Sequence, residues 1–306
     1  MTRVRTTAIG AALTLPIMLP AWGAEGASTE YIGGYTGFAA GYVPPDPGTY
    51  FSNYLYFYSA STAVVPVNGH PALDVSTDVY FEIAQFTWVT KYQLLGGNYG
   101  FGVGVPLGYV SVDVGVPPIG VDESTSAFGF GDAILVPALI AWHKGNFHSN
   151  FGISVFAPTG EYNKNHALNL SRNFWAIDGS YAGSYLTDTG FDLSAALGYT
   201  VNFENPATHY KSGDVVHLDL AIGQNLSKQF KVGVVGYAVV QVTGDSGSGA
   251  VLGSFESDVY AAGLAAEYDS KIGSKDVSMQ LRWYREFDAR NHLEGNAVYL
   301  TASLQL

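Results

Sequence analysis

The chain has 306 residues, a formal net charge of −12 at pH 7 and no cysteine. The acidic balance disfavours a nucleic-acid partner, which needs a basic surface, and the lack of thiols excludes a disulfide framework and thiol chemistry. Charged residues make up 13% of the chain and aromatic residues 14%, whereas a soluble domain typically carries about twice that share of charge.

The N-terminus has the three parts of a secretory signal peptide. Arg3 and Arg5 precede an apolar run over residues 8–19, and small residues follow up to Ala24. The apolar run is shorter than the roughly 20 residues that a helix needs to span a bilayer. We therefore predict a signal peptide over residues 1–24, cleaved near Gly23 or Ala24.

Residues 25–47 differ from everything that follows them. This stretch is rich in glycine and proline, including Pro44 and Pro45, and shows little alternation of apolar and polar residues. Such a composition does not pair as a strand. We expect a non-strand N-terminal arm over residues 25–47, on the periplasmic side or folded into the lumen, followed by a β-barrel over residues 48–306.

Apolar and polar residues alternate through the rest of the chain. The clearest runs are 191–203, 216–222, 277–286 and 298–306. A period of two predicts strands with one face to lipid and the other to a wet lumen. No mature segment approaches 18 continuous apolar residues, so a closed barrel is the remaining way to span a membrane.

The fold class that this pattern predicts is an all-β transmembrane antiparallel up-and-down barrel of about 12 strands. The expected strands are 48–60, 75–90, 97–113, 128–143, 146–158, 172–185, 190–203, 213–225, 229–243, 255–268, 276–287 and 296–306. Short turns belong on the periplasmic side, and long loops outside. The long connections are expected at 61–73, 114–127, 159–171, 204–212, 244–254 and 288–295.

The same alternation predicts which side chains face the lumen. Charged residues on the inner face are expected in any water-filled barrel, and a constriction that orients substrate is the alternative interpretation. On the first strand, tyrosines share the face opposite phenylalanine and leucine, so their rings could stack a planar substrate. The candidate lumen residues for substrate binding are Tyr50, Tyr54, Tyr56, Tyr58, His217, Asp219, Arg282, Tyr284 and Glu286.

Motifs that suggest other chemistry have simpler interpretations. Residues 244–247 resemble the surroundings of a serine-protease nucleophile, but they lie in a stretch typical of a flexible loop. His143 and His148 flank a tight turn without the cysteine or acidic residues that would complete a metal shell. We therefore expect no catalytic residue, no metal and no cofactor.

Landmark residues along nearly the whole mature chain resemble one family. They are Glu25-Gly26, Gly34, Phe38, Ala40-Gly41, Pro44-Pro45, Gly48, Tyr50, Asn53-Tyr54, Tyr56 to Tyr58, Gly131-Asp132, Trp142, Gly145, Ala157 to Gly160 and Ser212 to Asp214. This pattern is similar to the outer-membrane transporter family associated with the meta-pathway of phenol degradation. The resemblance implies uptake of aromatic or other hydrophobic compounds, and it supplies no catalytic residues to carry over.

The leading hypothesis is a passive bacterial outer-membrane channel for small hydrophobic, mainly aromatic, molecules. Its expected partners are such a molecule, outer-membrane lipid and the barrel-assembly machinery. Two alternatives stay open: an outer-membrane barrel enzyme of lipase or protease type, and a structural or adhesive barrel. The sequence gives no indication of oligomeric state.

Overall fold

The computed structural model describes residues 29–67, 70–116, 121–166, 168–251 and 253–306. The predicted signal peptide and the first residues of the arm, up to residue 28, lie outside this part. None of the helices among the described residues is long and apolar enough to cross a membrane.

The strands form one antiparallel sheet that closes on itself. Neighbours in sequence pair with each other except β4 and β5, which both pair with β3. The barrel closes where β1 pairs with β13, for example Tyr56 opposite Tyr299. The strands are β1 Gly48–Val67, β2 His70–Leu94, β3 Gly97–Val116, β4 Val121–Phe130, β5 Ala133–Lys144, β6 Phe147–Ala157, β7 Ala176–Leu186, β8 Phe191–Asn202, β9 Val215–Asn225, β10 Phe230–Gln241, β11 Asp258–Ile272, β12 Lys275–Arg290 and β13 Glu294–Gln305.

Strands β4 and β5 follow one another along the same neighbour, β3. Leu107 of β3 lies opposite Phe130 of β4, and Gly104 lies opposite Ile134 of β5. They are therefore two halves of one transmembrane strand, interrupted at Gly131 and Asp132. With these halves counted together, the barrel has the predicted twelve strands, and the fold class is confirmed.

The connections differ from the prediction at three places. Most of 61–73 and 114–127 is paired strand and not long loop, because β1 runs to Val67, β2 begins at His70, β3 runs to Val116 and β4 begins at Val121. Ser61 lies opposite Ser76, and Val114 opposite Glu123. Residues 68–69 and 117–120 lie outside the described part. Beyond the bilayer a hairpin needs no apolar face, since its backbone bonds are satisfied by pairing. The connection predicted at 288–295 shrinks to residues 291–293.

The two ends of the barrel differ, and we name them by their connections. The turn end holds the short turns, such as that between Lys144 and Phe147, together with the first residue of β1 and the last of β13. The loop end holds the connections 158–175, 203–214 and 242–257.

The predicted faces are also confirmed. Outward leucines and aromatic residues are exposed, as in the row Leu193, Leu197 and Tyr199 of β8. Inward residues of the same strand, such as Asp192 and Thr200, are each 1% exposed. An outer surface of this kind suits lipid, and the buried polar side chains show that the lumen is filled.

Candidate functional site

The arm fills the lumen along its whole length. At the loop end, the Arg172 Nη2 donates to the Thr29 carbonyl at 3.1 Å. At the turn end, the Tyr42 ring lies 5.1 Å from that of His148, and Asn98 donates to the Pro45 carbonyl at 3.3 Å. Residues 29–47 contain no strand, and they run inside the barrel from the loop end to the start of β1.

Asp219 is the main attachment of the arm to the wall. Its carboxylate, 2% exposed, accepts hydrogen bonds from the Tyr31 hydroxyl at 2.5 Å, the Gly34 amide at 3.0 Å, and the Thr36 amide and hydroxyl, both at 2.9 Å. Bonds to a charged acceptor are stronger than neutral ones. Four such bonds to one carboxylate hold residues 31–36 of the arm against β9.

A second attachment lies closer to the turn end. Asp192 accepts from the Ala39 amide at 3.0 Å and from the Lys231 ammonium at 3.0 Å. Lys231 also lies 3.1 Å from Glu267 and 5.2 Å from the centroid of the Phe38 ring. This lysine therefore links the acidic wall to the aromatic side chain of the arm.

Glycines let the arm approach the wall closely. Gly34 has a φ of +77°, where residues with a side chain are strained, and a Cβ there would lie 2.8 Å from the Tyr284 ring. A Cβ on Gly41 would lie 2.5 Å from the backbone oxygen of His148 and the backbone nitrogen of Ser184. These positions require the absence of a side chain, which explains the glycine content of the arm.

Two arm tyrosines stack on lumen residues predicted from the sequence. The Tyr31 ring lies 3.3 Å from that of His217, at an interplanar angle of 13°. The Tyr35 ring lies 4.6 Å from that of Tyr54, and its hydroxyl bonds to Gln85. The arm thus occupies aromatic surfaces of the wall in the way a planar ligand would.

The remaining predicted residues also face the lumen, where they bond to wall and arm. Glu286 accepts from the hydroxyls of Tyr58 at 2.8 Å and Tyr237 at 2.7 Å. The Arg282 guanidinium lies 4.9 Å from the Tyr299 ring, and Tyr284 is fully buried beneath Gly34. All nine candidates, including Tyr50 and Tyr56, lie on the inner face; that they contact a substrate stays a prediction.

The opposite wall of the lumen is apolar. On the inner face of β2 the residues from Thr77 to Val89 carry no charge, and they include Val79, Phe81 and Ile83. Their neighbours on β3 include Pro106 and Val110. Apart from Arg172 of the loop end, the acidic and basic residues that hold the arm lie on β8 to β11. The lumen therefore has one charged wall and one uncharged, mainly apolar wall.

Sequence reasoning missed the anchoring residues Asp192 and Lys231, and Asp132 at the strand interruption. The alternation of β8 already placed Asp192 inside, but nothing in the sequence indicated that the arm would bind it. In the protease-like stretch, the Asp245 carboxylate accepts from Tyr210, Gln241 and the Gly213 amide. It therefore fastens loops to one another at the loop end.

Comparisons with known proteins agree with this architecture. Residues 57–302 match the family model described as "Putative MetA-pathway of phenol degradation". No curated protein sequence matches the chain. The COG4313 outer membrane channel from Pseudomonas putida F1 is similar in structure, with a TM-score of 0.66 at 17% identity over 85% of this chain and 96% of that one.

Two further solved structures resemble the barrel less closely. The translocator domain of the autotransporter NalP from Neisseria meningitidis has a TM-score of 0.46 at 12% identity, over 85% of this chain and 89% of that one. A Pseudomonas aeruginosa FadL homologue has a TM-score of 0.38 at 10% identity, over 84% and 88%.

Proposed function

Because this chain belongs to the family of the MetA-pathway of phenol degradation, we propose that it is an outer-membrane channel for small hydrophobic, mainly aromatic, compounds. Passage is passive and the solute leaves chemically unchanged. Short turns place the turn end in the periplasm and the loop end outside the cell. The observation that carries the proposal is the division of the lumen into a charged wall, whose carboxylates hold the arm, and an uncharged wall that contacts the arm through Gln85 and Tyr54.

The apolar wall is the surface along which such a solute would move. The strip formed by Val79, Phe81 and Ile83 on β2, with Pro106 and Val110 on β3, presents no charge that a hydrophobic solute would have to desolvate. Burial of apolar area on such a strip is favourable by about 25 cal/mol per Å². A channel for ions or sugars would gain nothing from this surface.

The tyrosines of β1 border the apolar strip. Tyr54 lies opposite Ile83, Tyr56 opposite Phe81 and Tyr58 opposite Val79 in the register of β1 with β2. Their rings would offer stacking surface to a planar solute, while the Tyr58 hydroxyl keeps its bond to Glu286. We assign aromatic selectivity to these three side chains, in competition with the Tyr35 ring of the arm.

His217, Asp219, Arg282, Tyr284 and Glu286 have a different place in this proposal. His217, Asp219 and Tyr284 contact the arm, whereas Arg282 bonds to Thr301 of the wall and Glu286 to Tyr58 and Tyr237. The first three therefore set where the arm lies and hence how wide the path is. The arm then limits passage of hydrophilic solutes, while a small ring needs only a narrow apolar path.

Uptake by intact cells tests the proposal. Expression in a Gram-negative host without general porins should raise the initial rate of phenol uptake at low concentration, with little change in arabinose uptake. Equal uptake of phenol with and without the protein, measured with confirmed assembly in the outer membrane, would contradict the proposed function.

A further inference from the structure

The barrel wall is incomplete beside β4. Among the described residues, β4 pairs with β3 alone, whereas β5 pairs with both β3 and β6. The pairing of β5 with β6 stops at Ala133 and Ala157. One edge of β4 therefore has no strand partner, and the chain from 158 to 175 lies where the next strand would continue.

The loop between Gly160 and Arg172 is fixed at its base and at its tip. At the base, the Asp132 carboxylate accepts from the Gly160 amide at 3.0 Å and from the Arg172 amide at 2.9 Å. At the tip, the Asn163 amide donates to Asn169 Oδ1 at 2.8 Å, and Asn169 Nδ2 donates to the Asn163 carbonyl at 3.1 Å. These hydrogen bonds fix the conformation of the loop beside the free edge of β4.

Between this loop and β4 lies a cavity of about 190 Å³. Ala127 and Phe128 line it from β4, and Leu168 and Leu170 line it from the loop. The rest of the lining is polar and includes one carboxylate, with Glu161, Tyr162, Asn163, His166 and Asn169. Ala127 is on the inner face of β4 and Phe128, 69% exposed, is on the outer face. Side chains from both faces of β4 therefore border the cavity.

Ala127 joins the cavity to a row of side chains that belongs to the apolar wall described above. On the inner face, Ala127 lies opposite Val110, Val110 opposite Val79, and Val79 opposite Tyr58. This row of side chains crosses four strands without a charge. A solute held at Ala127 would reach the tyrosines of β1 without displacing the arm from Asp219.

We propose that this cavity is a capture site for a molecule with one aromatic ring and one small polar group, of which phenol is the simplest example. An apolar cavity of about 150 Å³ is known to bind benzene, so one ring with one substituent matches the size. Phe128 and the two leucines contact the ring, and Asn163 or His166 bonds to the hydroxyl. This inference rests on the proposed function and identifies where the transported solute first binds the protein.

Binding is measured on the full-length protein in detergent by ¹⁹F NMR titration with 4-fluorophenol. Phe128→Ala removes a ring wall and should weaken binding roughly two- to tenfold, as expected for loss of one ring contact. Phe130→Ala is the matched control, since Phe130 is also an exposed aromatic residue on the outer face of β4, at 57%, and does not line the cavity. Leu170 lines the cavity on the loop side, opposite Phe128, so Leu170→Ala should also weaken binding. The test therefore does not depend on a substitution in β4 alone.

Unchanged affinity in both Phe128→Ala and Leu170→Ala overturns the capture site, as does an equal loss in Phe130→Ala. Transport by the unmodified protein is measured separately with phenol-loaded vesicles. If the unmodified protein transports phenol while both cavity variants bind 4-fluorophenol with unchanged affinity, the capture site is wrong and the channel function is still supported. Weakened binding in both cavity variants supports the capture site, whether or not the vesicles transport phenol. The absence of phenol transport would contradict the proposed function and not the capture site.

Discussion

Removing the Asp219 carboxylate should release the arm from the lumen wall. The variant Asp219→Ala leaves the amides of Gly34 and Thr36 and the Tyr31 hydroxyl without their acceptor. Hydrogen bonds to a charged group contribute about 1.5–3 kcal/mol each. Counting two of the four, because bonds to one carboxylate are not additive, gives about 3–6 kcal/mol, or roughly two to four orders of magnitude in the docking equilibrium.

Hydrogen exchange of the arm peptide, followed by mass spectrometry, measures this equilibrium. Exchange at Gly34 and Thr36 should accelerate by about the same factor, and conductance in planar bilayers should rise. Asp214→Ala is the matched control, because that carboxylate accepts from Tyr199 and the Asn202 amide of the wall, and neither of these contacts the arm. Equal protection of the arm in Asp219→Ala and the unmodified protein would refute the anchoring argument.

Three further predictions follow from the lumen. Deleting residues 29–45 should raise single-channel conductance and admit arabinose into vesicles; an unchanged conductance would show that the arm does not limit passage. Replacing Tyr54, Tyr56 and Tyr58 by serine should reduce aromatic uptake at low concentration by one to three orders of magnitude. This range follows from a loss of roughly 0.5–1.5 kcal/mol for each of the three ring contacts. Normal aromatic uptake by a variant whose heat-modifiable migration shows that it is folded would rule out the tyrosine assignment. Burial raises the pKa of the Glu30 carboxyl to about 7, and Arg172 at 3.5 Å offsets part of this effect. The docked arm therefore binds more protons than the detached arm between pH 4.5, the ordinary pKa of a glutamate, and about 7. Docking of its first residues should weaken as pH rises through that window. Glu30→Gln should abolish the pH dependence of hydrogen exchange at the start of the arm, and a pH dependence that persists in this variant would contradict this cause.

The faces of the strands could be predicted from the sequence because a strand repeats every two residues. On β12 the alternation of Leu281 and Trp283 with Arg282 and Tyr284 separates lipid from lumen without knowledge of any neighbour. The start of the barrel at Gly48 was equally visible, since the glycine- and proline-rich arm ends there. Both features depend only on residues that are close together in sequence.

The contacts of the arm could not be predicted in this way. Whether Asp219 meets solvent, a substrate or Gly34 depends on residues about 185 positions apart in sequence, and the pattern of β9 is the same in each case. The strand interruption was hidden for a similar reason. Asp132 stands between two apolar runs, and only the amides of Gly160 and Arg172 show why a carboxylate is needed there.

Flux through the purified protein tests the central claim most directly. Full-length protein is reconstituted into vesicles, and the initial rates of phenol and arabinose movement are compared with those of protein-free vesicles made from the same lipids. The apolar wall beside a lumen filled by the arm predicts a protein-dependent rate for phenol and almost none for arabinose. A protein-dependent rate for arabinose that matches or exceeds that for phenol would contradict the account.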